Sequence, residues 1–203
     1  MRAARRHDRI PPAVCRGRTS YNTKEDSRRS GAVKTMDKSE KSKVKDKTNA
    51  MRMIESKKLD YKLFTCPCEE AKSADEIARI FGKEPERVFK TLVTVGKSGE
   101  HYVFMLPACD ELDLKKAAKA VGEKSVEMIK SKELLPLTGY IHGGCSPVGM
   151  KKFFRTTAHI TAQDYKTITF SAGRIGWMME MAPSDLGRAI RLGYADITRT
   201  GEQ

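Results

Sequence analysis

Two apolar, β-prone runs, Val88–Val95 and Tyr102–Leu106, flank the short polar stretch Gly96-Lys-Ser-Gly-Glu100. Runs of this composition joined by so short a turn signal pair as an antiparallel hairpin. Other elements are arranged around it. Tyr61–Thr65 alternates like a short strand, and Thr167–Ser171 and Ile175–Met181 are two more strand candidates around Ala172-Gly-Arg-Ile-Gly176. Thr48 can cap a helix over residues 48–57 in which Ala50, Met53 and Ile54 share a face. Ser73-Ala-Asp-Glu76 is a capping box, opening a helix with Ala74, Ile77, Ile80 and Phe81 on one side and a stop at Gly82. Asp113 can cap a helix carrying Leu114, Ala117, Ala118 and Val121 at helical spacing, ended by Gly122. Pro183-Ser-Asp185 starts a last helix that closes near Gly193. Helices mixed with hairpin-linked strands predict an α+β fold around a largely antiparallel or mixed sheet. No βα unit repeats, and no Gly-rich strand-to-helix phosphate fingerprint is present. Residues 48–200 are enough for one domain with a sizeable core.

Charge divides the chain. Residues 1–47 hold 15 Lys/Arg against 6 Asp/Glu and the remainder 24 against 20, so this segment carries +9 of the net +13. It has almost no adjacent apolar residues and no period, which predicts a disordered basic extension. Three readings fit it: a nucleic-acid-binding arm, a solvated tail, or upstream sequence ahead of a true start at Met36. We favour the last over the first, because charge blocks are usually solvated. The body is mildly basic, which permits a polyanionic partner without demanding one. No membrane span and no secretory signal are expected. Five cysteines at irregular spacing argue against a disulfide scaffold and for a reducing cytoplasm.

The densest chemistry lies in Thr138–Lys151, TGYIHGGCSPVGMK. It offers a nucleophile with a base, a metal site, or a loop whose backbone does the work. Cys145 and Ser146 do not sit in a G-x-S-x-G elbow. Cys66-Pro-Cys68 has one intervening residue, where zinc pairs usually have two to four, and His101, His142 and His159 are isolated in sequence. No metal and no cofactor are therefore expected, and the two cysteines read as small apolar side chains at a strand end. Gly143-Gly144 permits positive φ and an anion-binding nest of successive N–H groups. Ser171-Ala-Gly173-Arg174-Ile-Gly176 is a second Gly-rich turn with a hydroxyl and a guanidinium. Lys90, in the apolar run Val88-Phe-Lys-Thr-Leu-Val93, is by itself most simply a snorkelling edge residue, and Thr91 beside it is equally ordinary.

The order of these motifs is specific: Phe89-Lys-Thr-Leu-Val93, Leu112-Asp-Leu-Lys-Lys-Ala117 with Val126-Glu-Met128, Thr138-Gly-Tyr140 with Gly143-Gly-Cys-Ser-Pro-Val-Gly149, then Ser171-Ala-Gly-Arg-Ile-Gly176. From about Thr48 to Ile197 the chain resembles the YbaK/EbsC family, freestanding relatives of the editing domain of bacterial prolyl-tRNA synthetases. The resemblance implies a mixed, partly barrel-like β-sheet flanked by helices. It implies trans-editing deacylation of mischarged tRNA, above all Cys-tRNA(Pro), with the substrate's own thiol attacking its ester and no protein nucleophile. The implied partners are the tRNA acceptor end and a prolyl-tRNA synthetase. Carried over by motif, Gly143 and Gly144 supply backbone contacts to the aminoacyl group, Lys90 anchors the tRNA 3′ end, and Ser171 contacts the terminal adenosine or aminoacyl moiety. Thr91, Ser146, Gly173, Arg174 and Cys66 complete the expected substrate-binding set. One departure is Cys66, where many relatives carry an aromatic at the end of the first strand. That leaves Ala-tRNA(Pro) and Ser-tRNA(Pro) as alternative substrates, and a non-catalytic tRNA- or synthetase-binding module as the rival reading.

Overall fold

A computed structural model describes residues 33–36, 44–67 and 72–199. Among these residues, nine strands and five helices form an α+β fold on one mixed sheet. The strands are β1 (Lys34–Met36), β2 (Lys62–Thr65), β3 (Val88–Gly96), β4 (His101–Pro107), β5 (Val126–Met128), β6 (Arg155–His159), β7 (Ile168–Ser171), β8 (Trp177–Met181) and β9 (Leu192–Ala195). The helices are α1 (Asn49–Ser56), α2 (Ala74–Ile80), α3 (Leu114–Val121), α4 (Ser131–Thr138) and α5 (Pro183–Ala189).

Local signals set most of these boundaries. Thr48 Oγ1 accepts from Met51 N–H at the start of α1, and Ser73 and Glu76 form the expected reciprocal box at α2. Asp113 accepts from Lys115 and Lys116 N–H at α3, and Gly122 ends that helix in the left-handed region. The hairpin β3–β4 pairs antiparallel from Phe89↔Pro107 to Val95↔His101. The sheet order is β1-β2-β8-β7-β3-β4-β6-β9, with parallel contacts β3–β7, β4–β6 and β6–β9. On the second side of β3, β7 pairs only at Val88 and Phe89, and β5 only at Thr94–Gly96. Ile129 N–H also donates to Val93 O, so the sheet forks beside Lys90–Leu92.

Both faces are covered. Phe89, Phe170, Met179 and Met105 bury one face against Met51 and Ile54 of α1 and Leu186 of α5. On the other, α2 sets Ile77 and Ala78 over Phe64, Val88 and Met178, while α3 sets Ala117 and Val121 over Phe104 and Leu106.

Two expectations change. The last helix closes at Ala189, not near Gly193, because Leu192–Ala195 is captured as β9 on the open edge of β6, with Gly193 opposite Thr157. Disorder of residues 1–47 does not hold at Lys34–Met36, which pairs antiparallel with β2, Met36 opposite Leu63 and packed on the core. Residues 1–32 and 37–43 lie outside the described residues, so the readings of the basic extension rest on sequence alone.

Two stability predictions follow from this packing. Phe170 is fully buried between the faces of α1 and α5, so Phe170→Ala lowers the unfolding free energy by about 3–5 kcal/mol, seen as a lower denaturant midpoint at unchanged m. Burial alone would raise the Glu180 carboxyl, but Lys83 at 2.6 Å and Lys62 reverse this and hold it below its ordinary value. A depressed carboxylate contributes stability that is present above the ordinary Glu range and is lost as pH falls through its folded pKa. Lys83→Met removes that acid-side component, so the variant's stability falls less steeply than wild type below about pH 5; parallel curves would show that the pair carries no linkage.

Candidate functional site

The two Gly-rich segments meet. The first leaves α4 at Gly139, which caps the helix with φ 84° and donates to Leu135 O. The loop is then tied to itself: Tyr140 OH donates to Val148 O (2.7 Å), Val148 N–H donates to Ser146 Oγ (3.3 Å), and Lys151 N–H donates to Thr138 O (2.9 Å). The second is the turn from β7 to β8. Ala172 N–H donates to Trp177 O, Cys66 N–H donates to Gly176 O, and Thr48 Oγ1 donates to Ala172 O, joining the turn to α1. Contact between the segments is backbone to backbone. A Cβ on Gly144 would lie 3.2 Å from Ile175 N and 3.3 Å from the Arg174 carbonyl carbon. A Cβ on Gly173, at φ +93°, would lie 2.7 Å from the Tyr140 ring. At Gly173 both the approach and the φ exclude a side chain, while at Gly144 the close approach of the other segment's backbone is what crowds one out.

Between the segments is an open cleft of about 630 Å³. Gly139–Ile141 form one wall, Gly173–Ile175 and Trp177 the other, and Cys66 and Pro67 one end. The Arg174 guanidinium lies 4.6 Å from the centroid of the Trp177 ring, which holds an exposed cation at the mouth. Trp177 faces Thr65 across the β2–β8 ladder, so β8 supplies an aromatic wall next to the position where β2 ends in Cys66. Cys66 is buried and disulfide-bonded, not the thiol expected of it.

Lys90 and Ser171 follow the last rung of the β3–β7 ladder, Phe89↔Phe170, and so stand beside each other at the fork. Lys90 Nζ donates to Ala108 O (3.1 Å), which engages one of its three N–H groups. Ser171 Oγ accepts from Gly173 N–H (3.2 Å), leaving its own proton to donate. Thr91 points to the opposite face from Lys90, and its Oγ1 is buried with no hydrogen-bond partner. Cys66, Gly173 and Arg174 line the cleft, Gly144 abuts it, and Ser146 is fully buried as the acceptor of Val148 N–H. Gly144 N–H is committed to Ile141 O (3.0 Å), so of the two loop glycines Gly143, exposed at φ 78°, is the one whose N–H can be offered to a ligand.

Several contributors were not legible in the chain. Trp177 and Ile141 line the cleft but read in sequence as ordinary strand and loop residues, and Tyr140, part of a motif in sequence, had no site role assigned. Asp110 brings a carboxyl near both Lys90 and the sequence-distant His159. Burial raises the Asp110 carboxyl, with the charges of His159 and Lys90 pulling the other way. Burial lowers the His159 imidazole against Asp196 and Asp110, and its Nδ1 accepts from Ile197 N–H (3.3 Å), which places the ring proton on Nε2. His159, isolated in sequence, is therefore not isolated in the fold.

The loop's candidate nucleophile is poorly suited to attack. Cys145 is 9% exposed, and burial pushes its thiol up to about 12, so almost none is thiolate near neutrality. Alkylation of the native protein by iodoacetamide at pH 8, followed by peptide mass spectrometry, is expected to label Cys145 on the order of a hundredfold more slowly than the more accessible Cys109. Equal rates would mean that Cys145 reaches the cleft as a thiolate.

Known proteins share this chain's sequence pattern and fold. The aminoacyl-tRNA editing domain profile matches residues 68–189. EbsC of Enterococcus faecalis, a protein with an inferred Cys-tRNA(Pro)/Cys-tRNA(Cys) deacylase activity, is 47% identical over 159 residues, covering 78% of this chain and 97% of that protein. The proline–tRNA ligase of Shouchella clausii is 35% identical over 82 residues, 40% of this chain but 14% of the ligase. A crystal structure of a proposed trans-editing enzyme for prolyl-tRNA synthetase superposes with a TM-score of 0.68 at 25% identity, over 75% of this chain and 96% of that one. With a matching profile over more than half its length and a near full-length relative, the chain belongs to the aminoacyl-tRNA editing domain family.

Proposed function

We propose that this protein deacylates mischarged tRNA in trans, with Cys-tRNA(Pro) as its substrate. The observation that carries the reading is a cleft whose walls are mainly backbone and apolar side chains, beside a loop whose cysteine is a buried thiol and whose serine is buried in a structural hydrogen bond. Such a site holds an ester and stabilises an oxyanion but brings no obvious nucleophile of its own. The Cys-tRNA substrate inferred for the Enterococcus faecalis relative supports the same choice.

The chemistry then belongs to the substrate. The cysteinyl sulfur attacks its own ester carbonyl, closing a four-membered thiolactone. The C–O bond to the terminal ribose breaks, and the proton lost by the thiol ends on the departing ribose oxygen. Gly143 N–H donates to the developing oxyanion, the kind of preorganised contact that gains strength as charge forms. The two N–H groups of Lys90 not engaged by Ala108 hold phosphate or ribose oxygens of the 3′ end, and the Ser171 hydroxyl donates to the adenosine or aminoacyl group. The remaining expected residues have narrower parts: Arg174 adds charge at the mouth, Gly173 and Cys66 shape the wall, and Thr91 and Ser146 support the strand and loop behind it. The need for such an enzyme is physical. A synthetase pocket separates side chains as similar in size as proline and cysteine by only about 1–3 kcal/mol.

The test is release of radiolabelled cysteine or its thiolactone from Cys-tRNA(Pro), run beside Ala-tRNA(Pro) and Cys-tRNA(Cys). Release from Cys-tRNA is expected, with Lys90→Ala slowed at least tenfold, the value of a charged hydrogen bond of about 1.5–3 kcal/mol. Lys97→Ala, on the exposed β3–β4 turn, is expected to match wild type. Release from Ala-tRNA(Pro) but not Cys-tRNA would rule out substrate-thiol attack, and release from none would leave a binding module.

A further inference from the structure

A second furrow takes part of its lining from residues that flank the cleft loop in sequence, and none from the cleft's own. It encloses about 460 Å³ and is lined in part by His101, Leu137, Lys152, Phe153, Phe154 and Arg155. Its chain segment reads Lys151-Lys-Phe-Phe-Arg155, aromatic residues interleaved with cations. Phe153 is 62% exposed, more than any other large apolar side chain among the described residues. A buried core explains Phe154, which packs on the cluster of Val93 and Leu134, but it does not explain Phe153.

The surroundings of Phe153 are cationic. The Arg191 guanidinium sits 5.5 Å from its ring centroid. Arg155 is fixed by hydrogen bonds to Ala120 O and Val121 O, both 3.2 Å, at the C-terminal end of α3. Glu100 also borders the furrow, so one carboxylate faces Lys152 and Arg155, with Arg191 a third cation on the ring. The furrow and the cleft share no lining residue, but Lys151, next in the chain to Lys152 of the furrow, links them. The Lys151 side chain lies against Gly139, a cleft wall residue, with its Cγ 3.1 Å from where a Cβ would stand. Two residues of chain span at most about 7 Å, so Phe153 is within a few nucleotides' reach of the cleft.

We propose that this furrow binds single-stranded RNA just upstream of the terminal nucleotide. One unpaired base stacks on Phe153, and the flanking phosphates lie on Lys151, Lys152 and Arg191. Base-on-aromatic stacking within a cationic groove is the general solution for unpaired strands, and it requires no sequence readout. The identity of that strand as the 3′ end of a charged tRNA rests on the function proposed above; the furrow's affinity for an unpaired strand does not.

Two variants and two substrates test this. Phe153→Ala and the double change Lys152→Glu with Arg191→Glu are compared with wild type on Cys-tRNA(Pro) and on cysteinyl-adenosine, which is too short to reach the furrow. Thermal melts confirm that both variants are folded. Phe153→Ala is expected to raise KM for the tRNA about tenfold with kcat unchanged, and to leave cysteinyl-adenosine cleavage unaffected. The double variant is expected to flatten the salt dependence of tRNA binding, since fewer counterions are released. An unchanged tRNA KM, or equal loss on both substrates, overturns the proposal while leaving the deacylase intact. If wild type cleaves neither substrate, the deacylase reading fails, and the furrow is judged by fluorescence anisotropy with an uncharged hairpin ending in a single-stranded 3′ CCA. Weakening of about tenfold by Phe153→Ala supports it, and equal affinity overturns it. An effect seen only when prolyl-tRNA synthetase is added would make the furrow a protein-docking face and would also overturn the proposal.

Discussion

Strand β3 is the element on which the rest depends. It pairs along nearly its whole length with β4, but on its other side it has β7 at the start and β5 at the end. These two neighbours pair with separate stretches of that edge and do not meet, so the sheet divides between them. The divergence opens beside Lys90, where a half-buried ammonium is satisfied by a single carbonyl and has donors to spare. Phe89 on the adjacent position is fully buried beside Phe170 and anchors the fork to the core. Rigid packing behind the fork and incomplete pairing within it place a polar group at the edge of an otherwise apolar sheet.

The loops above the fork are held by hydrogen bonds that leave little freedom. Tyr140 lines the cleft with its ring, lies against Gly173, and donates its hydroxyl to Val148 O, so one side chain connects both walls to the loop's far end. Burial raises the Tyr140 phenol further above its already high value, which keeps that donor in place at any physiological pH. Thr48 does comparable work from below, capping α1 through Met51 N–H while donating to Ala172 O. The proposed backbone contact to the aminoacyl group depends on this rigidity, since a preorganised donor acts only when it is held in place.

Charge acts on a larger scale. Exposed cations at the cleft mouth and around Phe153 give the body a basic face, although its overall excess is small. Carboxylates are held elsewhere: Glu180 by Lys83 and Lys62, Asp196 by Lys116, Glu55 by Lys47. Pairing removes negative charge from the local field without changing the net count, and long-range attraction of a polyanion depends on that local field.

What the sequence by itself determined are features written in adjacent residues. The caps at Thr48, Ser73 and Asp113, the stop at Gly122 and the β3–β4 hairpin each follow from side chains within a few positions of the backbone groups they satisfy. Motif order was enough to resemble the right family, and the roles it suggests for Lys90, the Gly-Gly loop and Ser171 belong to the proposal. Tertiary structure alone decided the rest. β9 is a strand because β6 offered it an open edge, β1 is ordered because β2 did, and neither edge can be seen from residues 192–195 or 34–36. Likewise, the meeting of Tyr140 and Trp177 in one cleft, the burial that pushes up the Cys145 thiol, and the approach of Asp110 to Lys90 and His159 join residues tens of positions apart. Local hydrogen bonds and turn geometry are short-ranged and can be read from the chain, whereas desolvation and edge pairing depend on which distant segments arrive, and only packing determines that.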